Sequence, residues 1–319
     1  MTMFETVCRG LFDSPLVVVD VGAAGGVTEI QGLASLCEIH AVEPREDSFR
    51  DLEKVTKSPY AKLFSYDKGL AKTAGAHTLY VTRIPEASSL YRPNAPLIKR
   101  WRQDGTFDVV SEVRIDCVTL EQMLAQAGIS HVDLIKMDTQ GSELDILLGG
   151  GDYIGKISII KCELEFVELY ECQPMFDDVV RELSQRGFRF INFFDGANVH
   201  EKRIWNDGIF IRKRFDDRDS LIKAAAILVE MAYYEEAKWL LLDHGGKPEI
   251  LQLMINAHVF DRYPNASFFI RRINDTLKSV GRRYSFVERA RGLLVGWSAR
   301  TKVGRASSAA SHGKRSDGE

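Results

Sequence analysis

The sequence predicts an α/β fold of the Rossmann-like class, in which a doubly wound, mostly parallel sheet with an antiparallel edge strand precedes a C-terminal helical extension. Three observations predict it. Short β-branched runs alternate with helix-periodic segments through the first 214 residues, the order that builds a parallel sheet covered by helices. The first run, Leu16–Val21, ends in a glycine-rich turn. The last two runs follow one another without a helix, which predicts the antiparallel edge.

The first half of the body alternates strands and helices. Strands are predicted at residues 16–21, 38–42 and 61–66, and helices at residues 28–35 and 47–55. Residues 78–82 and 108–118 predict an added β-hairpin. The connection between these two strands holds several prolines, so we expect a long loop there.

The second half continues the alternation. Thr119 and Gln122 match a capping box, which predicts a helix that begins there and ends at Gly128. Pro174 predicts the first turn of a helix that ends at Arg186. The other predicted elements are strands at residues 132–137, 156–166, 188–194 and 208–212, and a helix over residues 143–148. The last two strands are expected to join through Asp195 and Gly196.

Composition excludes several classes of protein. Of 319 residues, 45% are apolar and 27% charged, which excludes wholesale disorder, collagen and coiled coil. No apolar run approaches the roughly 20 residues of a membrane span, and the start has no secretory pattern. The five cysteines are scattered without metal-binding spacing. Together these features predict a cytoplasmic protein.

Charge and periodicity predict three regions, at residues 1–214, 215–280 and 281–319. The first is the sheet domain. The second has helical patterns at residues 219–242 and 249–258, and it could be a cap on that domain or a docking surface, including one for a homodimer. The third carries a net +6, against −9 for the preceding 280 residues. We expect disorder from Thr301, a peripheral membrane contact as an alternative for residues 286–300, and no nucleic-acid partner.

The loop after the first strand carries the first functional signal. It reads Asp20-Val21-Gly22-Ala23-Ala24-Gly25-Gly26, and its glycines allow a ligand to approach the backbone closely. Asp20 would repel a pyrophosphate but would attract an ammonium or sulfonium group. Glu43 follows the second strand, where an acid can accept both hydroxyls of a ribose. S-adenosylmethionine fits both acids, whereas a nicotinamide dinucleotide, which needs GxGxxG, does not.

A second group of acids follows the later strands. Asp138 comes at the end of the predicted strand 132–137, where it would face the ligand crevice, and Gly141 allows a tight turn into the next helix. Glu143 falls in the first turn of that helix, where the dipole favours an acid. Alternation places Glu163 and Glu165 on one face of a central strand. Two acids there are costly unless they are paired or exposed, so both are candidate site residues.

These motifs, in this order, resemble the FkbM-type methyltransferase family. The resemblance rests on DVGAAGG, HAVEP, Ser88-Ser89-Leu90, LIKMDTQGSELDIL and ELEFVELYECQPMF, and it covers residues 16–212. It implies a class I methyltransferase fold and S-adenosylmethionine-dependent O-methylation of a sugar or glycan hydroxyl, as in surface polysaccharides or glycosylated metabolites.

The resemblance also implies roles for individual residues. Contacts to the methionine portion are implied for Asp20, Gly22, Ala23 and Gly25. Glu43 would hold the ribose. The adenine would be bordered by the segment from Asp67 through Gly69 to Leu70. Asp138 would lie beside the methyl group. Many relatives have an acid where this chain has Gln140, which removes one charge from any carboxylate metal site.

Methyl transfer to a sugar hydroxyl needs alignment and a general base. Asp138 is the first candidate base, followed by Glu163 and Glu165, with His77 weaker. A divalent metal on Asp138 with Glu163 or Glu165 is an alternative that we do not expect. The acceptor is expected to meet the loop over residues 84–106. That loop contains Tyr91, Arg92, Lys99, Arg100, Trp101 and Arg102.

Two other functions are compatible with parts of the sequence. The chain could be a catalytically silent methyltransferase fold that serves as a scaffold through its helical region, or a nicotinamide-dependent oxidoreductase. The combined set of Asp20, Gly22, Glu43 and Asp138 favours an enzyme over the scaffold, and the absence of GxGxxG disfavours the oxidoreductase.

Overall fold

A computed structural model describes residues 2–23, 27–54, 59–101, 105–199 and 201–263 of the chain. The chain divides into two compact units, Met1–His258 and Val259–Glu319. Of the second unit only residues 259–263 are described, and residues 259–262 are the last residues of a helix.

The central sheet has seven strands. They are β1 (Leu16–Val21), β2 (Cys37–Val42), β3 (Lys62–Tyr66), β7 (Val132–Met137), β8 (Ile157–Glu165), β9 (Phe188–Val199) and β10 (Lys202–Arg212). Their order is β3-β2-β1-β7-β8-β10-β9. The first five run parallel, and β10 is antiparallel to β8 and to the outermost strand β9. The predicted mostly parallel sheet with an antiparallel strand pair at its edge is therefore confirmed.

Helices bury the middle of this sheet. The described helices are α1 (Met3–Arg9), α2 (Glu46–Glu53), α3 (Ala95–Trp101), α4 (Leu120–Gln126), α5 (Glu143–Leu148), α6 (Phe176–Gln185), α7 (Arg218–Glu230), α8 (Tyr234–Asp243) and α9 (Pro248–Arg262). Apolar side chains of α4, α5 and α6 form one core with β1, β7 and β8. Strands β7 and β8 are buried along their whole length, as the β-branched runs predict.

A second sheet has three strands in the order β4-β6-β5, where β4 is Gly69–Leu70, β5 is Gly75–Thr82 and β6 is Val109–Val118. Strands β5 and β6 pair antiparallel, so the predicted hairpin is present. Strand β4 adds to it in parallel. Gly69 has no room for a side chain, because a Cβ there would lie 2.5 Å from Sγ of Cys117.

Two predicted connections are wrong. Residues 28–35 contain no α-helix: a 3₁₀ turn over Gln31–Leu36 takes its place. The expected loop between β5 and β6 contains a 3₁₀ turn over Pro85–Ala87 and the helix α3. Oδ1 of Asn94 accepts the N–H of Leu97 at 3.3 Å, and Pro96 lies in the first turn of α3. Asparagine followed by an early proline indicates the start of a helix. The several prolines in this segment instead indicate a loop, so the helix was not predicted.

Two boundaries also differ from prediction. Pro174 precedes α6, which begins at Phe176 with Met175 as its N-cap. Asp195 and Gly196 lie inside β9 and do not form its connection to β10. A Cβ on Gly196 would lie 2.5 Å from the carbonyl oxygen of Trp205, so this glycine allows close approach of the two irregular strands.

The helical segment after the sheet begins with α7, which contacts β7 and β8. The predicted helix over residues 219–242 is broken at Ala232, whose φ is 64°, into α7 and α8. Among the described helices, none is both long enough and apolar enough to cross a membrane. The predictions for residues 281–319 lie outside the described residues.

Candidate active site

A cavity of about 230 Å³ opens at the carboxyl ends of β1, β2 and β7. This is the end of a parallel sheet at which α/β proteins bind ligands. Its lining comes from three strand ends, from the three strands of the smaller sheet, from the segment before α3, and from the turn and helix that follow β7. The lining residues central to the site are Gly22, Glu43, Arg45, Lys68, Gly69, Leu70, Glu86, Ser88, Ser89, Lys136, Asp138, Thr139 and Ser142.

Gly22 sets the close approach of β1 and β7 at the cavity. The N–H of Asp138 donates to the carbonyl of Val21 at 3.0 Å, and the N–H of Gly22 donates to the carbonyl of Val42 at 3.0 Å. Gly22 has a φ of 75°, and a Cβ would lie 2.1 Å from the carbonyl oxygen of Asp138. Only glycine fits this position. Ala23 is buried and is not among the lining residues, and Gly25 lies outside the described residues.

Asp20 lies beneath the cavity instead of lining it. Its carboxylate is 1% exposed and accepts a hydrogen bond from Nζ of Lys136 at 3.1 Å. Burial raises the pKa of Asp20, and the ammonium opposes that shift. Burial disfavours the charge of Lys136, but the Asp20 and Asp138 carboxylates outweigh it and raise the pKa of Lys136. The aspartate therefore meets a lysine of this chain, and Lys136 is the member of the pair that lines the cavity.

Glu43 lines the cavity directly after β2. Its Oε1 accepts the N–H of Arg45 at 2.9 Å, which leaves its second oxygen for a ligand hydroxyl. Burial raises the pKa of Glu43. Beyond it, Gly69 and Leu70 line the cavity as predicted, whereas Asp67 is not among the lining residues. Apolar walls there are completed by Leu79, Ile115 and Ile146.

The turn after β7 is built on two left-handed residues, Gln140 with a φ of 58° and Gly141 with a φ of 98°. Glu143 holds this turn: its Oε1 accepts from N and Oγ1 of Thr139 at 2.7 and 2.9 Å, and its Oε2 accepts from N of Gly141 at 3.0 Å. Burial raises the pKa of Glu143 to about 7. Glu143 thus shapes the loop that presents Asp138, which is exposed to the cavity.

Glu163 and Glu165 lie on β8 next to this turn, and both are buried, at 5% and 2% exposed. Burial, followed by repulsion from neighbouring carboxylates, raises the pKa of each well above its usual range. Neither is among the residues that line the cavity. In the part of the chain that the structure describes, no group of three or more His, Cys, Asp and Glu side chains is placed to hold a metal ion.

Two side chains of the predicted acceptor loop pair with residues outside it, on α5 and β6. The hydroxyl of Tyr91 donates to Oδ2 of Asp145 at 2.9 Å, and Arg92 pairs with Glu112 at 2.6 Å. His77 is separate from the cavity lining, with Nε2 2.9 Å from the carbonyl of Thr73. The side chain of Trp101 and all of Arg102 lie outside the described residues.

Five residues to which no sequence pattern assigns a ligand contact also line the cavity: Arg45, Glu86, Ser89, Thr139 and Ser142. Arg45 directly follows the HAVEP motif and Ser142 directly follows Gly141. Their position beside these motifs could have indicated that they line the site. Glu86 and Ser89 reach the cavity only because β5 and β6 form a separate sheet beside it, which no local pattern shows.

Comparison with known proteins gives a family match over most of the sheet domain. The family model described as "Methyltransferase FkbM domain" matches residues 20–190. The 2-O-methyltransferase NoeI of Sinorhizobium fredii is 36% identical over 61 residues, which cover 19% of this chain and 25% of that protein. The alignment thus spans about a quarter of this curated relative.

Solved methyltransferase structures are similar to part of this chain at low identity. The FkbM methyltransferase from Methylobacillus flagellatus KT is 14% identical, with a TM-score of 0.38 and coverage of 62% of this chain and 44% of that one. Magnesium protoporphyrin IX methyltransferase from Synechocystis PCC 6803, solved with bound S-adenosylmethionine, is 10% identical, with a TM-score of 0.34 and coverage of 66% and 77%.

Proposed function

This chain belongs to the FkbM methyltransferase family, and from that premise we propose that it is an S-adenosylmethionine-dependent O-methyltransferase acting on a hydroxyl of a sugar or glycan. The observation that carries the proposal is the meeting of three strand ends at one cavity. They bring the Gly22 backbone, the Glu43 carboxylate and the Asp138 carboxylate around the same space.

The chemistry of the lining suits this cofactor. S-adenosylmethionine carries no phosphate. The carboxylates that line the cavity would repel the pyrophosphate of a dinucleotide, but S-adenosylmethionine has no such group. The free oxygen of Glu43 can accept a ribose hydroxyl. Leu70, Ile115 and Ile146 offer an apolar wall for the adenine ring. The missing side chain of Gly22 leaves the backbone open to the methionine portion.

When bound, the cofactor supplies an electrophilic methyl group on a sulfonium centre. The chain's own task is to hold the acceptor oxygen in line and to remove its proton. Asp138 suits this role because it is exposed to the cavity at the end of β7 and its backbone is held against β1. Glu163 and Glu165 suit it less, because neither lines the cavity and burial raises their pKa values, which disfavours the ionised form that a base needs.

A sugar acceptor is supported by the match to a protein named 2-O-methyltransferase, which covers 61 residues. The serines, Arg45 and Glu86 at the cavity are polar groups of the kind that hydrogen-bond sugar hydroxyls. The acceptor is accordingly expected to enter beside Ser88 and Ser89, on the side of the smaller sheet.

Isothermal titration of the purified chain with S-adenosylmethionine tests the cofactor assignment. We expect saturable binding, weakened roughly tenfold in Glu43→Gln because an amide oxygen is a weaker acceptor for ribose hydroxyls. Glu46→Gln, on the exposed surface of α2, is the matched control and should bind like the unmodified protein. Absence of binding by the folded chain would favour the scaffold interpretation.

The acceptor class is tested by mass spectrometry of glycans from cells with and without the gene. The expected result is loss of one methyl group from a defined sugar when the gene is absent, restored by the intact chain but not by Asp138→Ala. Unchanged glycans, with S-adenosylmethionine bound normally, would contradict the sugar acceptor and leave the cofactor assignment intact.

A further inference from the structure

Gln140 occupies a backbone conformation that its residue type seldom adopts. Its φ of 58° is left-handed, and the turn is held in place from outside, because Oγ of Ser89 donates to the carbonyl of Gln140 at 2.7 Å. This contact joins the turn after β7 to the segment between β5 and α3. The backbone of Gln140 is therefore held in place independently of the contacts that its side chain makes.

The side-chain amide of Gln140 lies between two acids and a phenol. Its Nε2 is 3.0 Å from Oδ1 of Asp138 and 3.4 Å from Oε2 of Glu163. Its Oε1 is 3.0 Å from the hydroxyl of Tyr170. Reversing the amide would place its carbonyl oxygen against the Asp138 carboxylate, so the donor side must face the acids.

Tyr170 is in turn immobilised. Its side chain is fully buried, and its hydroxyl is also 2.9 Å from the carbonyl of Ala87. Burial, followed by the charges of Glu163 and Glu165, raises the pKa of Tyr170, so it stays a neutral hydroxyl. Together Ser89 and Tyr170 hold both ends of Gln140.

We propose that Gln140 is a positioning residue: its amide donates to Asp138 and holds that carboxylate in the orientation in which it receives the proton of the acceptor hydroxyl. The inference rests on the proposed function. Asp138 lies in an acidic environment, so a donor that adds no negative charge favours its carboxylate form. The charged or titratable groups facing it are Asp20, Lys136, Glu143, Glu163, Glu165, Tyr170 and Asp207.

Gln140→Glu tests the proposal by replacing the donor with a like charge. Two carboxylates at hydrogen-bond distance disfavour each other's ionisation, so the acidic limb of the kcat profile should move up by about one pH unit. At a pH on that limb, kcat should fall roughly tenfold and recover in more alkaline buffer. The KM for S-adenosylmethionine should change less than twofold or so, because the base is not a cofactor anchor.

Two further variants separate positioning from general damage. Gln140→Met removes the donor without adding charge, and we expect kcat to fall roughly fivefold at every pH without a shift of the limb. Tyr170→Phe removes the hydroxyl that contacts the amide oxygen of Gln140, so it should also lower kcat, but by a smaller factor. Tyr153→Phe, in the 3₁₀ turn over Gly151–Lys156, removes a hydroxyl elsewhere and should leave the profile unchanged.

A readout without turnover keeps the inference distinct from the proposed function. Carboxyl-carbon NMR of aspartate-labelled protein, assigned with Asp138→Asn, follows the titration of Asp138 directly. A midpoint that moves upward in Gln140→Glu supports the contact even if no acceptor is methylated, in which case only the proposed function fails. Coincident Asp138 titrations and kcat profiles in the unmodified chain and in Gln140→Glu would overturn the inference.

Discussion

Gly22 shows how one residue without a side chain determines where three strand ends meet. A Cβ at this position would lie 2.1 Å from the carbonyl oxygen of Asp138, and its φ of 75° disfavours every other residue. We expect Gly22→Ala to lower the free energy of unfolding by at least about 3 kcal/mol, because both strain and a backbone clash are added. Urea denaturation followed by circular dichroism measures this loss.

The control for Gly22→Ala is Gly155→Ala, where no atom lies within 4 Å of the added Cβ. Its free energy of unfolding should stay within about 1 kcal/mol of the unmodified value. Equal losses in the two variants would mean that the close approach of β1 and β7 does not limit stability. Cofactor titration of any folded Gly22→Ala protein should also show weaker binding.

Single residues also show what the sequence can and cannot predict about a site. Glu43 and Asp138 could be placed at the cavity because each directly follows an apolar strand. The pairing of Asp20 with Lys136 could not, because it depends on the register that sets these residues side by side on β1 and β7. Glu143 was interpreted through the helix dipole, whereas its carboxylate binds the backbone of the preceding turn.

At the scale of elements, Lys223 fixes α7 to the sheet. Its Nζ donates to Oγ of Ser14 at 2.7 Å and to the carbonyl of Pro15 at 3.0 Å. It also pairs with Asp219 at 2.7 Å and lies 3.7 Å from Asp133. Asp133 is itself buried and accepts the N–H of Val17 at 2.8 Å. One ammonium thus joins α7 to the segments that begin β1 and β7.

We expect Lys223→Met to lower the free energy of unfolding by about 3 kcal/mol, because it leaves a buried aspartate without its cation. Lys238→Met on α8 is the control, since that lysine pairs with the more exposed Glu235 and should contribute less than about 1 kcal/mol. Thermal or urea unfolding of the two variants measures the difference. Similar losses would contradict the anchoring role.

The elements were predictable where local periodicity decided them and not where tertiary contacts did. The Thr119 capping box and the buried runs of β7 and β8 follow from sequence alone. The long strand β9 does not, because its Asp195-Gly196 pair has the composition of a turn and continues as a strand only through pairing with β10. Helix α3 was not predicted, because the prolines around it are typical of a loop.

At the scale of the whole molecule, the formal net charge of residues 1–280 overstates the negative charge that they carry in the folded chain. Burial raises the pKa of Glu143 to about 7 and raises the pKa values of Glu163 and Glu165 well above their usual range. Asp20 and Glu43 shift in the same direction for the same reason. Part of the −9 of residues 1–280 therefore belongs to carboxyl groups that retain their protons to higher pH in the folded chain than in the unfolded chain.

This proton retention predicts that stability falls as pH rises. An unfolded glutamate titrates near about 4.3, so between that pH and the raised folded values the folded chain binds more protons than the unfolded chain. The free energy of unfolding then decreases with pH, by up to about 1.4 kcal/mol per pH unit for each retained proton. Groups with lowered pKa values act with the opposite sign. Carboxyls such as Glu38 and Asp217 do so below about pH 4.5, and His40, whose pKa burial lowers, does so below about pH 6.5.

Urea denaturation at a series of pH values from about 5 to about 8 measures this slope. In Glu165→Gln the neutral amide removes one group that retains a proton, so the decline should become shallower by up to about 1.4 kcal/mol per pH unit. Glu171→Gln, on the surface, should follow the unmodified chain. If stability rose between pH 6 and 8, or if Glu165→Gln gave a parallel curve, these glutamates would have to be ionised in the folded chain, and either of them could then compete with Asp138 as the general base.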